Sequence, residues 1–182
     1  MHRGKFDYCI GTADPAMKRQ VTAMFAAAGF YMIGTGSDIP DLLRTLRSVQ
    51  PWLVIVDMNI PPGNVKQVAS IIEEDALAAA VYLGPEDSRL EQYVRLPWPV
   101  EAPILTAVAE ALCLEFAQKK KLRREIAGLK QKLAERREIE KAKGKLMEEH
   151  SLSEEAAFRH LRDRSMAERV TLAEAARKVL SP

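Results

Sequence analysis

Residues 52–56 (WLVIV), closed by Asp57, constrain this chain more than any other segment. A strand that is apolar at every position has no face to offer water. It must lie in the middle of a sheet, covered on both sides, which helices on the two faces of a parallel sheet achieve. The surrounding sequence supplies that pattern. Residues 6–10 form a short apolar run ending in Gly11-Thr12-Ala13-Asp14-Pro15, and the next stretch carries Val21, Met24 and Phe25 at helical spacing before stopping at Gly29. Residues 30–33 read as a second strand, and residues 39–49 place Leu42, Leu43 and Leu46 on one helix face. Another helix is expected over 65–74, a strand over 79–83, and a weaker strand over 92–96 leading into Pro97-Trp98-Pro99. Strands alternating with helices over this length predict right-handed βαβ units and an α/β fold with a doubly wound parallel sheet.

The character changes after Val100. No proline stands between Pro103 and Pro182, and one helical pattern runs over 104–149. Its first part (Ile104, Leu105, Val108, Leu112, Phe116) suits a helix packed on the sheet. Its middle spaces Leu122, Ile126, Leu129 and Leu133 by four, three and four, a heptad seam of about two repeats preceded by KKKLRR. A helix of this length standing outside a compact domain needs a partner for its stripe, so the seam predicts a parallel homodimer. The alternative is an amphipathic helix packed within its own chain. Two short helices finish the chain. Ser153 reads as an N-cap with Glu154 and Glu155 in the first turn, and Thr171-Leu172-Ala173-Glu174 matches a capping box. Leu146, Met147, Ala157, Phe158, Leu161, Leu172, Ala175, Ala176 and Val179 are the expected core of this three-helix unit. A core drawn from so few residues is marginal, and attachment to a dimeric stalk would support it. The boundaries read as 1–115 for the α/β domain, 116–135 for a coiled-coil linker helix and 136–182 for the helical domain.

Charge is distributed unevenly. The net charge of +2 hides 18 Lys+Arg against 11 Asp+Glu from Gln118 onward, and 9 against 14 before it. A cationic C-terminal part suggests a polyanion bound at that end; a solvated helix face rich in lysine is the simpler reading of charge alone. No apolar run approaches the roughly 18 residues a membrane span needs. The start MHRGKFDYCIG enters a strand-like run with no signal-peptide core. Cys9 and Cys113 stand far apart, outside any metal-ligand spacing, as buried thiols of a reducing compartment would. A cytoplasmic protein without metal or cofactor is expected. No nucleophile–base set or glycine-rich phosphate loop is present, so an enzyme is not.

Asp57 sits at the C-terminal end of the central strand, where ligands meet an open α/β sheet. The segment WLVIVDMNIP, with the Thr12-Ala13-Asp14-Pro15 loop, resembles the receiver domain of two-component response regulators over about the first 115 residues. The resemblance implies the flavodoxin- or CheY-like sheet and places Asp57 at the phosphoacceptor position. It also exposes departures. The paired acidic residues that hold Mg²⁺ in that family align with Thr12 and Ala13, leaving Asp14 just beyond them. The family's Ser or Thr aligns with Gly84 and its Lys with Leu96. Only 11 residues separate Gly84 from Leu96, which predicts a shortened or lost fourth helix. Without the cation and the lysine, nothing neutralises the charge that builds during phosphoryl transfer. The domain is therefore expected to be a pseudo-receiver with Asp57 inactive.

Residues 136–147 read RREIEKAKGKLM, followed by Ala157-Phe158-Arg159-His160-Leu161-Arg162. This combination resembles the ANTAR domain, the RNA-binding module of transcription antitermination regulators, over about 122–182. Arg136, Ile139, Glu140, Ala142, Lys143, Gly144, Leu146 and Met147 match its first part, and Ala157, Phe158, Leu161 and Arg162 its second. The resemblance implies RNA stem-loops with small hexanucleotide loops as the partner. The RNA-contact candidates are Arg136, Arg137, Lys141, Lys143, Arg159 and Arg162, with His160 and Arg164 behind them. Each has a simpler reading. Glu140 can pair with Lys143 or Arg136, Gly144 can be a packing glycine, and Phe158 reads as core rather than as a platform for a base. The leading expectation is a dimeric RNA-binding antiterminator whose pseudo-receiver takes its input from an upstream sensor or partner protein, a small ligand, or assembly itself. A phosphorylation-switched regulator using Asp57 and Asp14, and a coiled-coil adaptor without RNA binding, are the alternatives.

Overall fold

The expected central strand is β3 (Leu53–Asp57), shifted one residue along the WLVIV run so that Trp52 stays outside it in a bend, and it is buried at all five positions. In the computed structural model, which describes residues 6–85 and 90–181, it is the centre of a five-stranded sheet. The elements of the N-terminal unit run β1 (Phe6–Gly11), α1 (Pro15–Ala27), β2 (Phe30–Gly36), α2 (Ile39–Val49), β3, α3 (Val65–Glu74), β4 (Ala79–Leu83), β5 (Arg95–Leu96) and the first part of α4 (Ala102–His150). The order across the sheet is β2-β1-β3-β4-β5, with every ladder parallel. Alternation along the strands separates two cores. Tyr8, Ile10, Leu53 and Ile55 pack with Val21 and Phe25 of α1 and Leu105, Ala109 and Cys113 of α4. Cys9, Val54 and Val56 face Leu42 and Leu46 of α2 and Val68 and Ile72 of α3. Burial pushes both the Cys9 and Cys113 thiols up to about 12, so they stay protonated and unreactive.

Two boundaries differ from expectation for stated reasons. The second strand continues three residues past Ile33, through Gly34-Thr35-Gly36. That segment has the composition of a loop, but α2 lies so close that a Cβ on Gly36 would fall 2.5 Å from the Leu42 backbone. Only glycine fits there. The last strand shrinks to Arg95–Leu96: it ends before Pro97 as expected, but its start is lost because residues 91–93 form a turn in which the Tyr93 N–H donates to the Leu90 carbonyl. The connection from β4 to β5 contains no α-helix among its described residues, 84–85 and 90–94. Residues 86–89, which belong to the stretch expected to lack a full helix, and the basic residues 1–5 lie outside the described residues.

Chain contacts divide the molecule between Lys120 and Lys121. The second unit comprises the rest of α4 with α5 (Glu154–Glu168) and α6 (Leu172–Leu180). Its core is Ala142, Leu146, Ala157, Leu161, Ala176 and Val179. Both predicted helix starts are present. Ser153 Oγ accepts from the Ala156 N–H, and Thr171 and Glu174 form a reciprocal capping box. Each such cap stabilises its helix by about 1 kcal/mol.

Met147 and Phe158 were expected in that core and are not. They are 38% and 42% exposed. The inward positions of α5 are Ala157 and Leu161, and the next residue along a helix turns about 100° away. The residues at the helix crossing are small: Ala142, Ala157 and Ala176 are fully buried. Helices brought together over alanine leave no room for a phenyl ring.

Candidate functional site

The C-terminal edge of the sheet gathers the residues of the first candidate site. Asp57 is 4% exposed, and both of its oxygens are occupied by groups that the fold holds in place. Thr12 Oγ1 donates to Oδ2 at 2.7 Å, and the Asn59 N–H donates to Oδ1 at 2.8 Å. Thr12 is itself fixed: its N–H donates to the Gly36 carbonyl, and its hydroxyl oxygen accepts from the Asp14 N–H at 3.0 Å. Asp14 does not join this group as a ligand. Its carboxylate caps α1, accepting from the Ala16 N–H at 2.7 Å. Above Gly84, whose φ of +157° suits glycine, the Met58 side chain takes up the space; a Cβ there would meet Met58 at 2.7 Å. Leu96 packs against the sheet's core where the resemblance would place a lysine.

This donor set does not fit a hydrated Mg²⁺ ion, which requires carboxylates and open water positions. A hydroxyl stands where one acidic ligand would be, and it points its proton at the phosphoacceptor position. The arrangement stabilises a buried carboxylate with two neutral hydrogen bonds.

The second candidate site is the cationic surface of the C-terminal unit, and the structure sorts the six predicted contacts. Lys143 departs from expectation. It is 8% exposed, and its Nζ donates to Glu140 Oε2 at 2.9 Å and Glu154 Oε1 at 2.7 Å, tying α4 to the start of α5. The reason is geometric: on α4 it lies between the core positions Ala142 and Leu146, so its aliphatic stem lies inward. Arg159 is exposed but paired with Glu155 at 3.2 Å. Arg164 and Lys178 share Glu168, and Arg177 reaches Glu138 at 2.8 Å. By contrast, Arg136, Arg137, Lys141 and Arg162 are exposed and make no ion pair among the described residues. Arg137 and Lys141 are four apart on α4, and Gly144 continues that stripe three residues later. A Cβ on Gly144 would meet nothing within 4 Å, so it is not a packing glycine within this chain. Arg169, exposed in a left-handed turn at the end of α5 (φ 53°), is a further cation that helical periodicity could not find. His160 is exposed as well.

The seam residues Leu122, Ile126, Leu129 and Leu133 are between 43% and 65% exposed.

Several carboxylates here are held below the usual range. Glu154 is lowered by its hydrogen bond from Lys143, Glu168 by those from Lys178 and Arg164, and Glu174 by the Thr171 N–H and then the Thr171 hydroxyl. A carboxyl lowered on folding contributes stability that is present above the ordinary glutamate value, about 4.3, and lost as pH falls through its own lower value. The Glu154 carboxyl carbon is therefore expected to titrate below that ordinary value by NMR, and to return to it in Lys143→Met. An ordinary midpoint in the parent protein would show that the Lys143 bridge does not form in solution.

Residues 127–180 match the model of the ANTAR domain. The fold of the N-terminal unit is shared with solved receiver domains. One is a CheY-like response regulator receiver domain protein from Methanospirillum hungatei JF-1 (18% identity, TM-score 0.52, covering 62% of this chain and 97% of that one). Others are the receiver domain of the response regulator NarL from Mycobacterium tuberculosis (17%, 0.52, 60% and 97%) and that of a modulated diguanylate cyclase from Desulfovibrio desulfuricans G20 (13%, 0.57, 63% and 98%). No curated protein matches the chain. Among the described residues no helix is long and apolar enough to cross a membrane.

Proposed function

We propose that this chain, which joins a receiver fold to an ANTAR domain as an ANTAR response regulator does, binds stem-loop RNA through that domain as a parallel dimer and regulates transcription by antitermination. The observation that carries the reading is the set of four exposed, unpaired cations, Arg136, Arg137, Lys141 and Arg162, on a unit whose other predicted contacts are already paired. Cations kept clear of carboxylates are available to phosphate, and each one bound releases a counterion from the RNA. Lys143 leaves the contact set and becomes the pin that sets the angle between α4 and α5. No reaction is proposed for the protein.

The seam supports the dimer. With Leu122 and Leu129 at d and Ile126 and Leu133 at a, a β-branched residue at one a position and leucine at d favour two strands. Glu125 then falls at g and Lys130 at e, the positions that meet across a parallel pair with opposite charge. Two RNA surfaces on one stalk suit two stem-loops on one transcript, where the second binding event is intramolecular.

The receiver fold contributes something other than conventional Mg²⁺-dependent aspartyl phosphorylation, since Thr12, Met58 and Leu96 occupy the positions that chemistry needs. Its input is a partner protein such as an upstream sensor, a small ligand, or assembly. Beryllofluoride with Mg²⁺ is expected to leave the melting temperature of the N-terminal unit unchanged. A Mg²⁺-dependent rise that disappears in Asp57→Ala would establish the phosphorylation-switched alternative instead.

The RNA reading is tested by titrating the full chain into an RNA carrying two hexaloop stem-loops across a salt series, with no phosphate donor. Salt-sensitive binding is expected. Absence of binding even at the lowest salt would leave an adaptor without an RNA role.

A further inference from the structure

Phe158 is the aromatic side chain that the C-terminal unit leaves in solvent. A single exposed apolar residue means little by itself; its neighbours give it meaning. Phe158, Arg162 and Met166 stand at i, i+4 and i+8 on α5, and so form one stripe. Phe158 and Met166 are 42% and 60% exposed, while Leu161 and Ala157, on the adjoining side of the helix, turn into the core. Arg162 is exposed and makes no ion pair among the described residues; of the acidic residues of α5, Glu154, Glu155 and Glu168 are tied to Lys143, Arg159 and the Arg164–Lys178 pair, and Asp163 follows Arg162 on the next position of the helix. The stripe thus offers an aromatic face next to a free guanidinium on a cationic domain.

We propose that Phe158 is a stacking platform for an unpaired base of the RNA loop, with Arg162 holding the phosphate beside that base. This rests on the RNA reading above and adds the residue that receives the base. Paired RNA presents shape and phosphates, whereas a loop nucleotide is splayed and exposes its flat face. A phenyl ring accepts any base by stacking, and a cation one helical turn away is at the right reach for the adjoining phosphate. Phe158 therefore separates loop from stem by reading a base face, and the cations Arg136, Arg137 and Lys141 supply affinity without regard to sequence.

The test measures binding of the full chain to the two-stem-loop RNA by fluorescence anisotropy. Phe158→Leu keeps apolar bulk and removes the ring; Phe158→Tyr and Phe158→Trp keep a ring. The leucine variant is expected to lose roughly tenfold or more in affinity, as loss of one stacked base does, while the tyrosine and tryptophan variants stay close to the parent. Abasic substitution at each loop position in turn is expected to identify one position at which the leucine variant carries no further penalty. Unchanged circular dichroism and sedimentation of Phe158→Leu are expected, since the ring is outside the core. Parent-like binding by Phe158→Leu, or equal losses in the leucine and tryptophan variants, would overturn the stacking role while leaving RNA binding intact. A change in sedimentation mass for Phe158→Leu would assign the ring to a protein contact and overturn it too. If the parent chain binds no RNA at any salt, the RNA reading itself fails.

Discussion

Replacing Arg136, Lys141 and Arg162 together by glutamine is expected to lower affinity for the two-stem-loop RNA by about a thousandfold at moderate salt. The figure follows from about 1.5 kcal/mol for each charge-assisted contact, which is about tenfold per cation. A second signature is harder to imitate. Each phosphate-bound cation adds a term of roughly 0.7 to 0.9 to the slope of log affinity against log salt, so losing three should reduce that slope by about two to three. The three side chains are exposed and make no ion pair, so the helices should retain their melting temperature. Arg159→Gln is the internal comparison, because Arg159 is already engaged by Glu155 and should matter less. If the triple variant keeps both the parental affinity and the parental slope, the RNA does not lie on this face.

Leu161→Ala is expected to unfold α5 and α6 while the N-terminal sheet remains protected. Leu161 is fully buried in a cluster of six buried residues, four of which are small or short: Ala142, Ala157, Ala176 and Val179. Removing a leucine from a core costs about 2–5 kcal/mol, and a core of this size supplies about 3–5 kcal/mol in all. The substitution therefore removes most of the unit's stability rather than a fraction of it. Amide hydrogen exchange by segment is the measurement: α5 and α6 should lose protection, and β1, β3 and β4 should keep theirs. Retained protection in α5 would mean that the stalk or a second copy holds the unit together more strongly than its own core does. Met166→Ala, at a position 60% exposed on the same helix, should change stability by no more than about 0.5 kcal/mol.

The contrast between Leu161 and Phe158 shows how far a pattern can be followed. Both fall at apolar positions of one short amphipathic helix, and periodicity assigned both to the core. Three residues apart, they could share a face in principle. The stripe that turned inward was the one that let alanines meet at the crossing, and this depends on how closely three helices approach. Lys143 teaches the same lesson with opposite sign. It belongs to a run of lysines on alternate residues and read as one more surface cation, yet between Ala142 and Leu146 it is drawn inward to Glu140 and Glu154, as the half-buried Lys145 is to the Val179 carbonyl.

Much of the molecule was determined by local physics that sequence carries directly. A short β-branched apolar run set among alternating strand and helix signals reads as a covered strand of a parallel sheet, and this places Asp57 at the C-terminal end of that strand. The capping residues Ser153 and Thr171 act within one helical turn of themselves, which is why both helix starts were legible to the residue. Thr12, Ala13, Gly84 and Leu96, standing where the receiver resemblance would place an acidic pair, a hydroxyl and a lysine, could also be read before the structure. What only the tertiary structure decided are the meetings between segments distant along the chain. The hydrogen bond from the Thr12 hydroxyl to Asp57, 45 residues away, Met58 filling the space over Gly84, α2 pressed onto Gly36, and Phe158 left in solvent all depend on distances between elements. Periodicity assigns a residue to a face of its own helix or strand, and only close packing against another element decides whether that face is covered.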